Sequence, residues 1–344
     1  MLKHIFYPIP LGLICLIALY PYGLRAIDDD GLFGLDNSSQ QLSADPSSWI
    51  IKPASVFDAN GQARDFYFQD VLEQLESDQG EGSKVTQAEF EKLLKRPEAK
   101  QVYVKQLVRY ATPESIKLQN KAHRDYSKVF LKEKRLRAGV KFLHQYETLL
   151  KKAQQRYGVA RHDIVSILMW ESGLGEFTGN LQIFNVFMAQ LLFLELAQQQ
   201  AVEQMVANGK RNPLQSAKIA KQEKKRFAKI KKRAVRSLVA LLRQSQAKGI
   251  DPLTIKGSWG GAIGYVQFMP YRMNYAVDGD QDGTIDLHSW PDAIFSVGNY
   301  LKEFGNYDMS YQGRKKGIFS YNHNNAYVKG VIAYADTIWK RYKN

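Results

Sequence analysis

Apolar residues recur at helical spacing over most of this chain, and nowhere do they alternate convincingly as a strand would. Residues 63–75 place Phe66, Phe68, Val71, Leu72 and Leu75 on one helical face. A break at 80–83 precedes a second helix, which Thr86 is positioned to cap with Glu89 at the reciprocal position. Residues 134–157 carry one long periodic pattern, through Val140, Leu143, Tyr146, Leu150, Ala153 and Tyr157, that Gly158 ends. The next segment, 163–170, is apolar almost all round, as in a helix buried in a large core. Helices are further predicted over 181–206, 214–247 (one helix or a pair), 292–304 and 325–342, with no internal repeat. The expected class is mainly α.

Residues 27–60 are rich in Asp, Ser, Gly and Pro and read as a linker. Before them stand Lys3 and His4, an apolar run over 11–20, and Leu24-Arg25-Ala26 ahead of three aspartates, the layout of a secretory signal. An uncleaved anchor is the second reading, weakened by Pro8, Pro10 and Pro21. Ile14 before Cys15 argues against lipid attachment there, and Cys15 is the single cysteine, so a processed chain has no disulfide or thiol chemistry. With 44% hydrophobic and 24% charged residues in 344, the chain has the composition of a folded protein of two domains or one large one. Its net charge of +14 is local: residues 207–236 hold twelve Lys/Arg and one acid, Glu223.

Candidate chemistry starts at Glu171, which ends the apolar run over 164–170 and precedes Ser172-Gly173-Leu174-Gly175. A carboxyl there loses solvation, which favours its protonated form and suits a general acid. A glutamate that merely caps or salt-bridges a helix end fits the same local pattern. Glu176, beyond two glycines, reads as structural or solvated.

The resemblance that decides between these readings is carried by several motifs in one order. They are Val140-Lys141-Phe142-Leu143-His144-Gln145-Tyr146-Glu147, Tyr157-Gly158-Val159, Glu171-Ser172-Gly173-Leu174-Gly175, Gly257-Ser258 and Gly261-Ala262-Ile263-Gly264-Tyr265-Val266-Gln267-Phe268-Met269-Pro270. Tyr275-Ala276-Val277-Asp278, Asp282-Gly283, Asp292-Ala293-Ile294 and Tyr321-Asn322 with Tyr327 come next. Together they resemble the membrane-bound lytic murein transglycosylase B family over roughly 62–344, the basic segment excepted. The resemblance implies a lysozyme-like α+β catalytic core with an additional N-terminal helical region and an EF-hand-like loop. It implies Glu171 as the sole catalytic acid/base, with Ser258, Gln267, Phe268, Tyr321, Asn322 and Tyr327 lining a sugar-binding cleft. Two departures stand out. Leu174 replaces a frequent Trp, and the stretch between Tyr300 and Tyr321 is too short for the small β domain that some members insert. The expected organisation is a signal peptide or anchor over 1–26, a linker over 27–60, a helical region over 61–130, and a core over 131–344 with a basic helical insertion at about 207–236.

Asp278, Asp280 and Asp282, with Gly283 next and Ile285 at the eighth position, match the opening of an EF-hand loop. Thr284 would offer its backbone carbonyl. Ser289 stands where the closing Glu belongs, so Asp292 is expected to close a longer loop, as in the family. The expected ion is a structural Ca2+, against a solvated acidic turn; no organic cofactor is called for, and no His or Cys cluster suggests zinc.

The basic segment, including Lys218, Lys221, Lys224, Lys225, Arg226, Lys229, Lys231, Lys232, Arg233 and Arg236, reads as a solvated helix or as a contact for an anionic membrane, peptidoglycan stems or a cell-wall assembly partner. An exported chain makes nucleic acid the poorest partner. The implied function is that of a lytic transglycosylase of the bacterial periplasm or cell envelope. It cleaves the β-1,4 bond between N-acetylmuramic acid and N-acetylglucosamine of peptidoglycan and leaves 1,6-anhydromuramic ends. The alternatives are a hydrolytic muramidase of the same fold and a non-catalytic peptidoglycan-binding protein.

Overall fold

A computed structural model describes residues 49–78, 82–111, 121, 124–209 and 213–344. The predicted signal or anchor and most of the predicted linker lie outside the described residues. The described chain is mainly α-helical, as its periodicity predicted. It separates into two compact units, whose described parts fall within Asn120–Phe177 with Tyr275–Asn344, and within Leu24–Gln119 with Thr178–Asn274. This division is discontinuous in sequence. It groups 178–274 with the N-terminal helices, where the sequence reading placed those residues in one core over 131–344.

The first unit is built around the helix Arg161–Ser172, in which every residue from 163 to 172 is buried. That burial is what its all-round apolar sequence requires, since each large aliphatic side chain taken from water contributes about 1.5–3 kcal/mol. The helix packs against Asn325–Lys343, whose Gly330 makes the approach possible: a Cβ there would stand 2.4 Å from the Trp170 ring. Trp170 in turn stacks on Phe130 and meets Tyr327 edge-on at 5.3 Å. The pattern predicted as one helix over 134–157 is two helices, Glu133–Gln145 and Glu147–Tyr157. Tyr146 breaks it, at φ −111° and ψ 25°, and its ring tilts against Phe142 at 4.5 Å. Gly158 ends the second helix in the left-handed conformation, as expected. Trp290–Asn299 runs into a π turn, Tyr300–Phe304, and the chain then enters the helix Tyr311–Tyr321.

A buried polar network also joins helices of this unit. Asp163 accepts two N–H bonds from Arg314, both 2.8 Å, and the Tyr307 hydroxyl at 2.5 Å. Arg314 also donates to Asp336 at 2.7 Å. Burial alone would depress the Arg314 guanidinium; the bonds and charge of Asp163 and Asp336 more than reverse that. The Tyr307 hydroxyl is pushed up by burial and by the charge of Asp163.

The second unit carries the long helix Pro213–Ala247, one helix rather than a pair, packed on Ile183–Ala207 and Phe66–Glu76. Thr86 and Glu89 form the expected capping box, with bonds of 3.3 and 2.8 Å. Among the described residues, regular strand is confined to Leu181–Gln182 paired antiparallel with Lys256–Gly257, in the register Leu181 to Gly257. Two expectations are corrected here. The end of the predicted linker is folded: Pro53–Val56 is a short helix, Ile51 and Val56 are wholly buried, and the Ile51 N–H bonds the Lys100 carbonyl at 3.1 Å. Its apolar residues are too few to show a period yet enough to anchor it.

The second correction concerns the basic helix, which is not a solvated face throughout. Arg226 donates to the carbonyls of Tyr110 at 2.6 Å and Ala111 at 3.2 Å. Arg233 bonds the Tyr110 hydroxyl, and Arg243 donates to the carbonyls of Gln74, Ser77 and Gly82. Lys231 is buried and pairs with Glu195 at 2.8 Å. Helix ends leave carbonyls without intrahelical partners, and cations are stabilising there. Long Arg and Lys stems meanwhile cover apolar surface, here the cluster of Trp49, Leu107, Tyr110, Leu194, Phe227 and Ile230.

Candidate active site

Glu171 occupies the last turn of the helix Arg161–Ser172, inside the helix rather than just past it, and is 2% exposed. The chain leaves that turn sharply. Gly173 adopts φ 64° and its N–H returns to the Met169 carbonyl at 3.0 Å. Ser172 holds the turn in place, its hydroxyl accepting the Gly175 N–H at 3.0 Å and its carbonyl the Phe177 N–H at 2.9 Å. Leu174, the residue that departs from the family pattern, sits at φ 57°, a left-handed conformation that costs a side chain bearing Cβ about 1–2 kcal/mol.

Tyr327 comes to Glu171 from the helix Asn325–Lys343, donating its hydroxyl to Oε1 at 2.6 Å. It is 1% exposed and stands in the first turn of that helix, which the Asn324 side chain caps. Tyr321 and Asn322 end the helix Tyr311–Tyr321, both buried, with Tyr321 edge-on to Tyr300 at 4.9 Å. This unit therefore brings together, among the expected site residues, Glu171 and Tyr327 in direct contact.

Ser258, Gln267 and Phe268 belong to the second unit, where they form one tight loop. The Ser258 hydroxyl accepts the Ala262 N–H at 3.1 Å, so it is engaged in the loop's own closure. Ile263 and Phe268 exchange backbone bonds of 2.8 and 3.2 Å, and Phe268 is buried. Between them Gln267 takes φ 53°, and its amide donates to the Gly264 carbonyl at 2.8 Å and the Thr178 carbonyl at 3.3 Å. A buried glutamine held in the left-handed region is strain of the sort that gathers at ligand sites.

In the acidic loop, carboxylate oxygens of Asp278, Asp280 and Asp292 lie within 4.8 Å of one another. Asp292 is buried at the start of Trp290–Asn299 and ties both ends of the loop, accepting N–H bonds from Gly279 and Asp286, each 2.7 Å. Gly279 packs so closely that a Cβ would stand 2.3 Å from the Pro291 carbonyl oxygen. Asp278 accepts three backbone N–H bonds, from Gln281, Asp282 and Gly283. Asp282 is outside the cluster: its Oδ1 takes the Thr284 N–H and hydroxyl at 2.8 and 2.7 Å, which lowers its pKa. Thr284 is thus tied to Asp282 through two donors. The Asp280 carboxyl is pushed up by desolvation and by the charges of Asp282 and Asp292. All-oxygen donors whose charges repel fit a hard divalent cation.

The sequence reading missed the Asp163 network. Its signal was an aspartate opening a wholly apolar helix, since a buried carboxylate demands a partner.

Comparison with known proteins agrees with this architecture. Membrane-bound lytic murein transglycosylase B of Escherichia coli K12 is 35% identical over 182 residues, which make up 52% of this chain and 41% of that protein's length. The structure of the E. coli lytic transglycosylase SLT35 in complex with calcium is 20% identical, covers 82% of this chain and 95% of that one, and gives a TM-score of 0.56. The same enzyme in complex with bulgecin A is 18% identical, covers 89% and 100%, and gives 0.57. These structural likenesses establish the mainly helical, lysozyme-like fold of lytic transglycosylases. Residues 67–310 match the Transglycosylase SLT domain, and the chain belongs to that family.

Proposed function

We propose that this protein is a lytic transglycosylase that cleaves peptidoglycan between N-acetylmuramic acid and N-acetylglucosamine, with Glu171 as its one acid/base. The observation that carries the reading is a buried glutamate in hydrogen-bond contact with Tyr327, in a chain of the transglycosylase family. Glu171 gives its proton to the glycosidic oxygen as the bond to the muramic acid anomeric carbon breaks. It then takes the proton of that sugar's C6 hydroxyl as O6 bonds the anomeric carbon. The products are a free N-acetylglucosamine 4-hydroxyl and a 1,6-anhydro ring, and Glu171 is again protonated. No water enters, so a second carboxylate, needed by most glycosidases, is not required. In this reading Tyr327 orients the carboxyl and Tyr321 and Asn322 contact sugar within this unit; the Gln267 loop, shaped by Ser258 and Phe268, is a candidate sugar contact within its own unit. Mass spectrometry of digested sacculi tests it: anhydro ends support it, and reducing ends in their place assign a hydrolytic muramidase.

We infer further that Asp278, Asp280 and Asp292 hold a Ca2+, whose chemistry here is charge neutralisation within the loop. Support comes from the carboxylate cluster and from a similar structure solved with calcium. A ligand bound only by the folded state raises stability by about 2.7 kcal/mol at a hundredfold excess over Kd. Calcium is therefore expected to raise Tm, and Asp292→Asn to remove the rise; equal melting in calcium and in chelator would make the loop a plain acidic turn. Export to the cell envelope is the corresponding location, supported by the layout of residues 1–26 and by the membrane-bound character of the E. coli relative. Among the described residues no helix is long and apolar enough to cross a membrane.

A further inference from the structure

The helix Pro213–Ala247 sorts its cations. Arg226, Arg233 and Arg243 reach carbonyls or a phenol of neighbouring helices, and Lys231 is buried against Glu195. Lys225, Lys229, Lys232 and Arg236 are instead exposed. Their spacing of i, i+4, i+7 and i+11 keeps them on one side of the helix, along about 16 Å at 1.5 Å per residue. Among the described residues no carboxylate pairs with Lys225, Lys229 or Lys232, although like charges one turn apart repel. Packing does not explain this stripe, because the apolar side of the same helix, Phe227, Ile230, Ala234, Val235 and Leu238, is already buried.

The stripe leads to the Gln267 loop within the same unit. Arg236 lies over the Tyr271 ring at 4.5 Å, and the Gln244 amide donates to the Pro270 carbonyl at 3.2 Å. Pro270 and Tyr271 come directly after Gln267-Phe268-Met269.

We propose that Lys225, Lys229, Lys232 and Arg236 bind the carboxylates of the peptide stems carried by the glycan that the Gln267 loop engages. The inference rests on the peptidoglycan reading above and names the part of that polymer this helix takes. Charge complementarity argues for it, as does continuity with the candidate sugar-binding loop. A bilayer is the poorer occupant, because a helix that lies in a membrane interface buries its apolar face there, and here the protein core already holds that face.

The test uses full-length protein in a Glu171→Gln background, so that the polymer stays intact. Wild-type stripe and the variant Lys225→Gln/Lys229→Gln/Lys232→Gln/Arg236→Gln are cosedimented with purified sacculi, with sacculi stripped of stems by an amidase, and with phosphatidylglycerol vesicles. The quadruple variant is expected to lose about tenfold or more in affinity for intact sacculi at about 0.05 M salt, with the gap closing at about 0.5 M as screening shortens the field. The wild-type stripe is expected to lose part of its affinity on stem-free glycan, which gains a lactyl carboxylate on each N-acetylmuramic acid when the amide is hydrolysed but loses all the stem carboxylates. The double variant Lys225→Gln/Lys229→Gln should fall between. Lys231→Gln, which disturbs a buried pair, should lower Tm and leave sacculus binding unchanged. Equal binding of wild type and quadruple variant to sacculi overturns the proposal, as does undiminished binding of wild type to stem-free glycan. Capture of vesicles through the stripe, with sacculus binding unaffected, assigns it to lipid and equally overturns it. Release of anhydro ends by the chain with Glu171 intact is read separately, so failure of the reaction reading and failure of the stripe give different results.

Discussion

The helices Arg161–Ser172 and Pro213–Ala247 handle charge in opposite ways. In the first, two acids are set into a buried apolar rod, and other parts of the unit bring partners to them: Arg314 from a helix and Tyr307 from the loop before it to Asp163, and Tyr327 to Glu171. In the second, the charges belong to the helix itself, and several turn inward to serve its neighbours, Arg226 and Arg243 on carbonyls and Lys231 on Glu195. A buried charge therefore marks neither function nor stability by itself. Asp163 has a bidentate cation and can be read as structural. Glu171 has a phenol on one oxygen and stands where the chain turns sharply away, a setting compatible with the proton release and recovery proposed for it.

The largest effect expected from this contrast is on turnover. Glu171→Gln keeps the shape and the bond to Tyr327 but has no acidic proton. If, as proposed, one group acts as both acid and base, the release of anhydro-muropeptides should fall by about a thousandfold or more. Sacculus binding and Tm should change little. A variant that digests sacculi near the wild-type rate would remove Glu171 from the chemistry.

At the other end of the same helix the consequence is stability. Arg314→Met leaves Asp163 as an uncompensated buried carboxylate and should cost about 3–5 kcal/mol, read from urea unfolding. Pairing it with Asp163→Asn should recover a large part of that loss, since the stranded charge is gone. A loss below about 1 kcal/mol for Arg314→Met would put Asp163 in the class of weak surface pairs.

The same two helices show how much was legible in the sequence. An all-round apolar run has one physical outcome, burial, so the Glu171 helix could be read directly from sequence, whereas the capping role of Gly173 could not. Thr86 and Glu89 were equally legible, because a capping box is local. The acidic loop was legible in spacing, but not in which oxygens converge: Asp282 turns to Thr284. A run of lysines and arginines has two outcomes, solvent or the carbonyls of another helix, and only tertiary packing chooses. That is why Arg226 and Lys231 could not be told from Lys225 and Lys229. The division into two units was hidden for a related reason, since residues 178–274 join the N-terminal helices through long-range contacts that no local pattern records.

The inward cations of the basic helix give the next effect. Arg243→Met removes donors from the carbonyls of Gln74, Ser77 and Gly82 while keeping an apolar stem, and should cost about 1–3 kcal/mol. Lys225→Gln on the exposed side should stay within about 0.5 kcal/mol of wild type. Urea unfolding of the two variants measures the sorting of charge directly. Equal stability would mean that Arg243 contributes no more than a solvated residue.

The smallest effect concerns His162, beside Asp163 at the start of the buried helix. Its ring stacks on Trp339 at 4.9 Å, and its Nδ1 is buried with no hydrogen-bond partner among the described residues. Burial holds the imidazole below its ordinary pKa; Asp163 and Asp336 oppose that shift, while Arg314 and Arg161 add to it. The unfolded chain therefore takes up the proton first as pH falls. The stability is intact above the unfolded value, about 6.5, and is lost as pH falls through the lower folded value. Urea midpoints should fall between about pH 7.5 and about pH 5, a range above that in which most carboxylates titrate. His162→Phe keeps a ring against Trp339 and removes the titration, so its midpoints should be flatter across that window. If the two proteins lose stability in parallel, the acid sensitivity of this unit comes from another group, and the start of the Glu171 helix is indifferent to protonation.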